Sequence, residues 1–280
     1  CGHTVSLYDR GPRLGGCVKM SSIFSPYHER YLNYLINQVH TDDHIEIHLN
    51  KYVTASMVKV KKPDAVIIAV GRNPIGLDVP GSTNKHVVSS HDFLEMLNGV
   101  APKNGFMWRA GAMFLRHYYT PTFARTMTAK MHWPIGKSVV IVGGGLPGCE
   151  FAHLCMETNR ETTIVEERKK IGYDVGGSDR FGMTSAFKKA KNVEMCPLTS
   201  VKEITNDGAV LVKHIDDRTK EYNVDAKTVA ITLGLERNSS LYDSLKDCVK
   251  EIYLIGDADS PHRIADATKA GYKAAYALSV

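Results

Sequence analysis

The stretch "KSVVIVGGGLPGCEFAHLC" runs from Lys137 to Cys155 and decides how the rest of the chain is read. Val139 to Val142 form a β-branched apolar run that ends in glycines. Such a run is a strand with both faces buried, as in a parallel sheet. Gly143-x-Gly145-x-x-Gly148 follows and opens a helical segment, "PGCEFAHLCMETN". Each glycine has a physical reason in a dinucleotide-binding turn. Gly143 makes the tight turn, Gly145 lets the backbone approach a pyrophosphate, and Gly148 lets helix and strand pack closely. The helix N-terminus offers free N–H groups and positive dipole to the phosphates.

A glycine pattern alone is a weak signal, and here its flanks supply the context. A second strand, "TTIVE", ends at Glu166. That is the expected place, roughly 20 residues on, for an acid that holds ribose hydroxyls. A carboxylate there accepts from a ribose 2′-OH and repels a 2′-phosphate, which favours NADH. Arg168, Lys169 and Lys170 stand just beyond and could hold a phosphate, so NADPH stays open.

The opening of the chain repeats part of this unit. "TVSLYD" is a strand ending in an acid, Asp9, and matches "TTIVEE". Gly2, just before it, fits the end of a helix. The chain therefore reads as a fragment that starts at Cys1 in the tail of a crossover helix, without the strand, glycine turn and helix expected ahead of it. "KPDAVIIAVGRNP" (62–74) reads as a buried strand ending in Gly71. "EIYLIGDAD" (251–259) reads as another, ending in Gly256-Asp257 and followed by the helical "RIADATKAGYKAAYAL".

Composition is that of an ordinary globular protein: 43% hydrophobic and 23% charged residues, with a net charge of +5 when His is neutral. That charge is too small, unless clustered, to argue for nucleic acid. No apolar run approaches the ~18–20 residues of a membrane helix, and no signal peptide is visible. The six cysteines (Cys1, Cys17, Cys149, Cys155, Cys196, Cys248) form no C-x-x-C pair. They read as scattered reduced thiols, which points to the cytoplasm. The spacings of His3, His28, His40, His44 and His48 match no metal pattern, and they read as surface residues.

With these pieces assembled, the sequence resembles the two-dinucleotide-binding flavoprotein superfamily of pyridine nucleotide-disulfide oxidoreductase type. "GHTVSLYDRGPRLGGCVKMSSI", "YLNYLINQV" and "KPDAVIIAVG" are similar to the C-terminal region of 2,4-dienoyl-CoA reductase and trimethylamine dehydrogenase, in the NADH:flavin oxidoreductase group. The resemblance covers nearly the whole chain except 102–133. It implies an α/β fold of two interleaved Rossmann-like dinucleotide-binding domains, the second inserted in the first. The expected divisions are 1–99 for the first part of an FAD- (or ADP-) binding domain, 100–136 for a basic helical connector, 137–250 for an NAD(P)H-binding domain and 251–280 for the last part of the first domain.

Residue by residue, the resemblance implies that Asp9 binds the adenosine ribose of FAD and that Gly15 and Gly16 line its pyrophosphate. Val53 would meet the adenine through its backbone, and Gly71 would sit beside the phosphates. Gly256 and Asp257 would serve the ribityl chain or pyrophosphate, and Ile264 would lie near the flavin. Gly143, Gly145, Gly148 and Glu166 would hold NADH. The implied activity is hydride transfer from NADH to flavin, with electrons passed onward to an upstream catalytic domain or electron-transfer partner that reduces an enoyl- or dienoyl-type substrate. FMN and an iron–sulfur cluster are expected, if anywhere, in an upstream part. Two other readings are a scaffold module with ADP in the first domain and an NAD-binding regulatory module. The fragment itself would bind FAD poorly without its first glycine turn. No catalytic side chain is expected, because the cofactors carry the reactivity.

Two features depart from that pattern or stand outside it. Disulfide reductases carry C-x-x-x-x-C after the glycine pair, whereas Cys17 stands alone with Ser22 at the partner position, so thiol–disulfide chemistry is not expected. Between Glu95 and Glu150 there is no acid, while Lys103, Arg109, Arg116, Arg125 and Lys130 are basic. Pro102, Pro121 and Pro134 divide this stretch into two short helices, with an apolar stripe of Met107, Ala110, Phe114 and His117. It reads as a helical cover with a basic rim, or else as a docking surface for an acidic partner, for the phosphates of a CoA ester or for anionic lipid.

Overall fold

A computed structural model describes residues 2–103 and 105–278; Cys1 lies outside them. The chain forms two compact units, one discontinuous (1–73 and 235–280) and one continuous (74–234). This is the interleaved arrangement, with one unit inserted into the other.

The inserted unit is built on a five-stranded parallel sheet. Its strand order is Val87–Ser89, Thr228–Ile231, Ser138–Val142, Glu161–Glu166, Val193–Pro197. The apolar run of the opening stretch is the central strand: Val139, Val140, Ile141 and Val142 are all buried. Fully burying one such side chain contributes about 1.5–3 kcal/mol. One side of the core is closed by a three-stranded antiparallel sheet, Thr199–Ile204, Gly208–Ile215 and Arg218–Asp225, whose Val201, Ile204 and Leu211 pack with Val140, Val142, Val165 and Val229. The helix Leu146–Glu157 buries Gly148, Cys149, Phe151, Ala152, Leu154 and Cys155. Pro147 stands in its first turn, where a missing N–H costs nothing.

The boundaries expected at 99, 136 and 250 all differ in the structure; the inserted unit ends at 234, so residues 235–250 belong to the discontinuous unit. Residues 74–99 fall in the inserted unit because Val87–Ser89 adds a parallel edge strand to Thr228–Ile231. Residues 100–136 belong there too. The two expected helices are present, Phe106–Tyr118 and Pro121–Lys130. Their packed face is another one, however. Met107 and Phe114 are exposed, while Ala112 is buried and Trp108 lies against Trp133 with ring centroids 5.4 Å apart. The reason is Gly111, where a Cβ would come within 2.2 Å of the Trp133 ring, so the indole presses onto the helix backbone at that point. Arg160, 1% exposed, ties the second helix to the sheet by donating to the carbonyls of Thr128 (2.7 Å) and Met131 (2.9 Å).

The discontinuous unit has two parallel strand pairs. Val5–Tyr8 pairs with Ile45–His48, and Ala65–Ile68 pairs with Glu251–Leu254. The second pair packs over Val58, Ile68 and Leu245, with Val53, Val66 and Leu254 beside them. The final helix, Ile264–Ala277, turns its small residues inward: Ala274 is buried and Ala267 lies against Gly256. Among the described residues, no helix is long and apolar enough to cross a membrane.

Candidate functional site

In the inserted unit the sequence-predicted residues come together at the carboxyl ends of the parallel strands. The strand order reverses between Ser138–Val142 and Thr228–Ile231. Crevices at such reversals are where ligands collect in open α/β sheets. Gly143 has φ +107°, and a Cβ there would meet the Thr232 carbonyl at 2.6 Å. No side chain fits that turn. A Cβ on Gly148 would fall 1.9 Å from the Gly143 carbonyl oxygen, so helix and turn touch backbone to backbone. Thr232 closes the turn from the neighbouring strand, its hydroxyl donating to the carbonyls of Gly143 (2.8 Å) and Val142 (3.0 Å).

Glu166 is buried at the end of its strand and reaches into this turn. Its Oε2 accepts from the Gly144 N–H at 2.8 Å and its Oε1 from the Arg168 N–H at 2.9 Å. Gly144 is held to glycine by the same contact, since a Cβ would approach Glu166 Cβ at 3.0 Å and Ile171 Cδ1 at 2.8 Å. The carboxylate thus braces the glycine turn, and each oxygen keeps a further acceptor direction.

A loop that sequence reading missed folds over the turn. The Gly172 N–H donates to the Gly144 carbonyl at 2.6 Å. Asp174 Oδ1 accepts from the Leu146 N–H at 2.8 Å, at the first turn of the glycine-rich helix. A Cβ at Gly145 would meet Asp174 Oδ2 at 3.1 Å and the Tyr173 hydroxyl at 3.3 Å. The Arg168 guanidinium lies over the Tyr173 ring, 3.7 Å from its centroid. Nearby Cys149 is inert. Burial first, then the Asp174 charge, pushes its thiol up to about 12, and burial does the same for Cys155.

The discontinuous unit places its predicted residues as follows. Asp9 ends the strand Val5–Tyr8, and its Oδ1 accepts from the Gly11 N–H at 2.7 Å. Gly16 (φ +47°) and Gly71 (φ +79°) face open space where a Cβ would stand. Gly15 instead packs against Leu32, where an added Cβ would come within 2.5 Å of Leu32 Cδ1. The Val53 side chain joins the core, and Ile264 begins the last helix. Gly256 opens a short 3-10 turn whose Asp257 pairs with Arg72 at 2.6 Å and accepts from the His262 N–H at 3.2 Å. Asp257 does not cap the final helix, where Asp266 accepts from the Arg263 N–H at 3.2 Å. Arg72 was not singled out from sequence. It follows Gly71 directly, and its buried Nε has no partner among the described residues.

Those residues fit a bound flavin nucleotide in two respects. Open space lies over Gly16 and Gly71, and a buried guanidinium N–H is free to meet a phosphate oxygen. Cys17 is close enough to Arg72 and Asp257 to feel both charges, but burial pushes its thiol up, so it is no nucleophile. Among the described histidines, His48 is part-buried and stacks on Tyr8 at 4.4 Å rather than standing free on the surface.

A two-unit α/β fold with a glycine turn at the carboxyl edge of a parallel sheet is the architecture of a dinucleotide-binding domain. Residues 29–274 match the family described as pyridine nucleotide-disulphide oxidoreductase, and the chain belongs to it. This is a family of FAD- and NAD(P)H-binding oxidoreductase domains, and the resemblance read from the sequence is borne out. The chain is 25% identical over 281 residues to an NADH oxidase of Thermoanaerobacter brockii, covering 99% of this chain and 38% of that protein. It is 26% identical over 284 residues to a bilirubin reductase of Mediterraneibacter gnavus, covering 99% and 37%. The chain thus spans less than two-fifths of either relative. Among solved structures, the 2-naphthoyl-CoA reductase complex with 2-naphthoyl-CoA superposes with a TM-score of 0.75 at 23% identity, covering 99% of this chain and 36% of that one.

Proposed function

We propose that the inserted unit binds NADH at the Gly143–Gly148 turn, and that the discontinuous unit holds the FAD of a flavin-dependent oxidoreductase. The observation that carries this reading is the turn itself. Gly143 and Gly148 are each held to glycine by backbone contacts, at the point where the strand order reverses, and a buried carboxylate braces Gly144 between them. A nicotinamide supplies hydride and a flavin accepts it.

The chain's own residues bind and orient. Leu146 N–H and the helix dipole meet the pyrophosphate. Glu166 keeps an acceptor for the adenosine ribose and favours NADH over NADPH. In the other unit Asp9 takes the adenosine ribose of FAD, and Gly16, Gly71 and Arg72 receive its phosphates. Gly15 shapes that loop by packing on Leu32, and Val53 offers its backbone beside the adenine. Asp257, with Gly256 leaving room, fixes Arg72, and Ile264 lines the flavin end. No side chain here moves a proton.

The rest of a longer enzyme, in the manner of the relatives, would receive the electrons and reduce an enoyl-type substrate. ADP in place of FAD in the discontinuous unit is the alternative, since Asp257 is already engaged by Arg72. Absorbance of the enzyme in its full length tests the proposal. FAD released from the enzyme, with a flavin band bleached by NADH, supports it. A full flavin band that NADH leaves unchanged would refute the hydride route, and ADP released without FAD would favour ADP.

A further inference from the structure

We infer that Asp174 is an internal stand-in for the dinucleotide's phosphate, and that Tyr173–Asp174 form a latch which must open before a nucleotide can bind. The inference rests on the reading of Gly143–Gly148 as the NADH turn and adds a device that controls it. Pro147 has no N–H, and the Cys149 N–H is already bonded to the Gly145 carbonyl at 2.9 Å. Leu146, the first residue of the helix, offers its N–H at this helix start, and the Asp174 carboxylate occupies it at 2.8 Å. The second carboxylate oxygen and the Tyr173 hydroxyl cover Gly145, the position at which a pyrophosphate needs backbone approach. An anion already sitting at the positive end of the helix repels a second one and denies it the same N–H.

The latch is held at two points. One is the Leu146–Asp174 hydrogen bond, and the other is the stack of Arg168 on Tyr173. The flanking residues fix its extent. Ile171 and Val175 are buried, and Gly172 is bonded to Gly144, whereas Tyr173 and Asp174 between them are exposed. Opening is thus confined to the Tyr173 and Asp174 side chains and their immediate backbone. It also frees the Arg168 guanidinium from Tyr173, which places a cation beside the incoming phosphates. The closed latch lowers nucleotide affinity while satisfying the helix start in the free protein.

Asp174→Ala, with Asp174→Asn as the charge-only variant, tests this by calorimetric titration with NADH and, separately, with ADP. Hydrogen exchange at the Leu146 amide is followed without ligand. The expected result is NADH binding about tenfold tighter in Asp174→Ala, the value of roughly one charged hydrogen bond, with a smaller gain in Asp174→Asn. Leu146 exchange should be faster in Asp174→Ala, with the melting temperature lowered by a few degrees at most as the latch bond is lost. NADH binding equal to or weaker than the wild type overturns the latch and leaves the NADH turn standing. Unchanged Leu146 exchange overturns the contact itself. Failure of both wild type and variant to bind either NADH or ADP overturns the NADH turn, and the latch with it.

Discussion

Replacing Glu166 should weaken both the fold and the nucleotide site, and the two losses can be measured apart. The carboxylate accepts the Gly144 N–H at 2.8 Å and the Arg168 N–H at 2.9 Å while remaining buried. In Glu166→Ala the Gly144 N–H is left buried without an acceptor, at a cost of about 1–3 kcal/mol. The Arg168 N–H is only partly buried, and water can replace its partner at a cost under about 1 kcal/mol. The total is about 1–4 kcal/mol for Ala and about 1–2 kcal/mol for Gln, which keeps one carbonyl acceptor. Urea unfolding reads these as shifts in midpoint at constant slope. NADH affinity should fall by about 1.5–3 kcal/mol, roughly ten- to a hundredfold, as the charged ribose bond is lost. NADPH should lose less, because a repulsion disappears with the charge. A Glu166→Gln protein that unfolds at the wild-type midpoint and keeps the wild-type NADH-to-NADPH ratio would refute both roles.

Other consequences follow from the packing. Gly148→Ala places a Cβ 1.9 Å from the Gly143 carbonyl oxygen, and should cost at least about 1–3 kcal/mol by denaturant unfolding. Arg160→Met removes the donors to the Thr128 and Met131 carbonyls, so amide exchange across Pro121–Lys130 should speed up before the rest of the unit unfolds. Cys149 and Cys155, pushed from 9.0 to about 12, should resist alkylation at pH 8 in the native protein, whereas exposed Cys248 should react. The same two thiols hold their protons more tightly folded than unfolded. Their contribution is complete below pH 9.0 and is lost as pH rises toward 12, at about 1.4 kcal/mol per thiol per pH unit. Stability measured at pH 8 and pH 10 checks the sign.

Strands and turn were legible where the signal is local. Val139 to Val142 with Gly143, Gly145 and Gly148 carry their conformation in their own composition, and Glu166 sits at a fixed offset from them. The edge strand Val87–Ser89 is only three residues long and is defined by a partner near residue 229, so the boundary at 99 could not be read correctly. Asp174, Tyr173 and Thr232 reach the turn from loops and strands 28 to 90 positions away, where no periodicity reports contact. The Met107–Phe114 stripe misled because periodicity alone does not reveal that Trp133 packs at Gly111. In the other unit Asp257 stands out by its motif, but its pairing with Arg72, 185 positions away, leaves no local pattern.

Gly145→Val is the most direct test of NADH binding at this turn. Its side chain would fill the space over the helix start, where Asp174 and Tyr173 now lie within 3.4 Å of the Cβ position. Titration of NADH into wild type and variant, with melting temperatures matched, should show loss of at least about tenfold in affinity, or more than about 1.4 kcal/mol. NADH bound as tightly by Gly145→Val as by the wild type would contradict it.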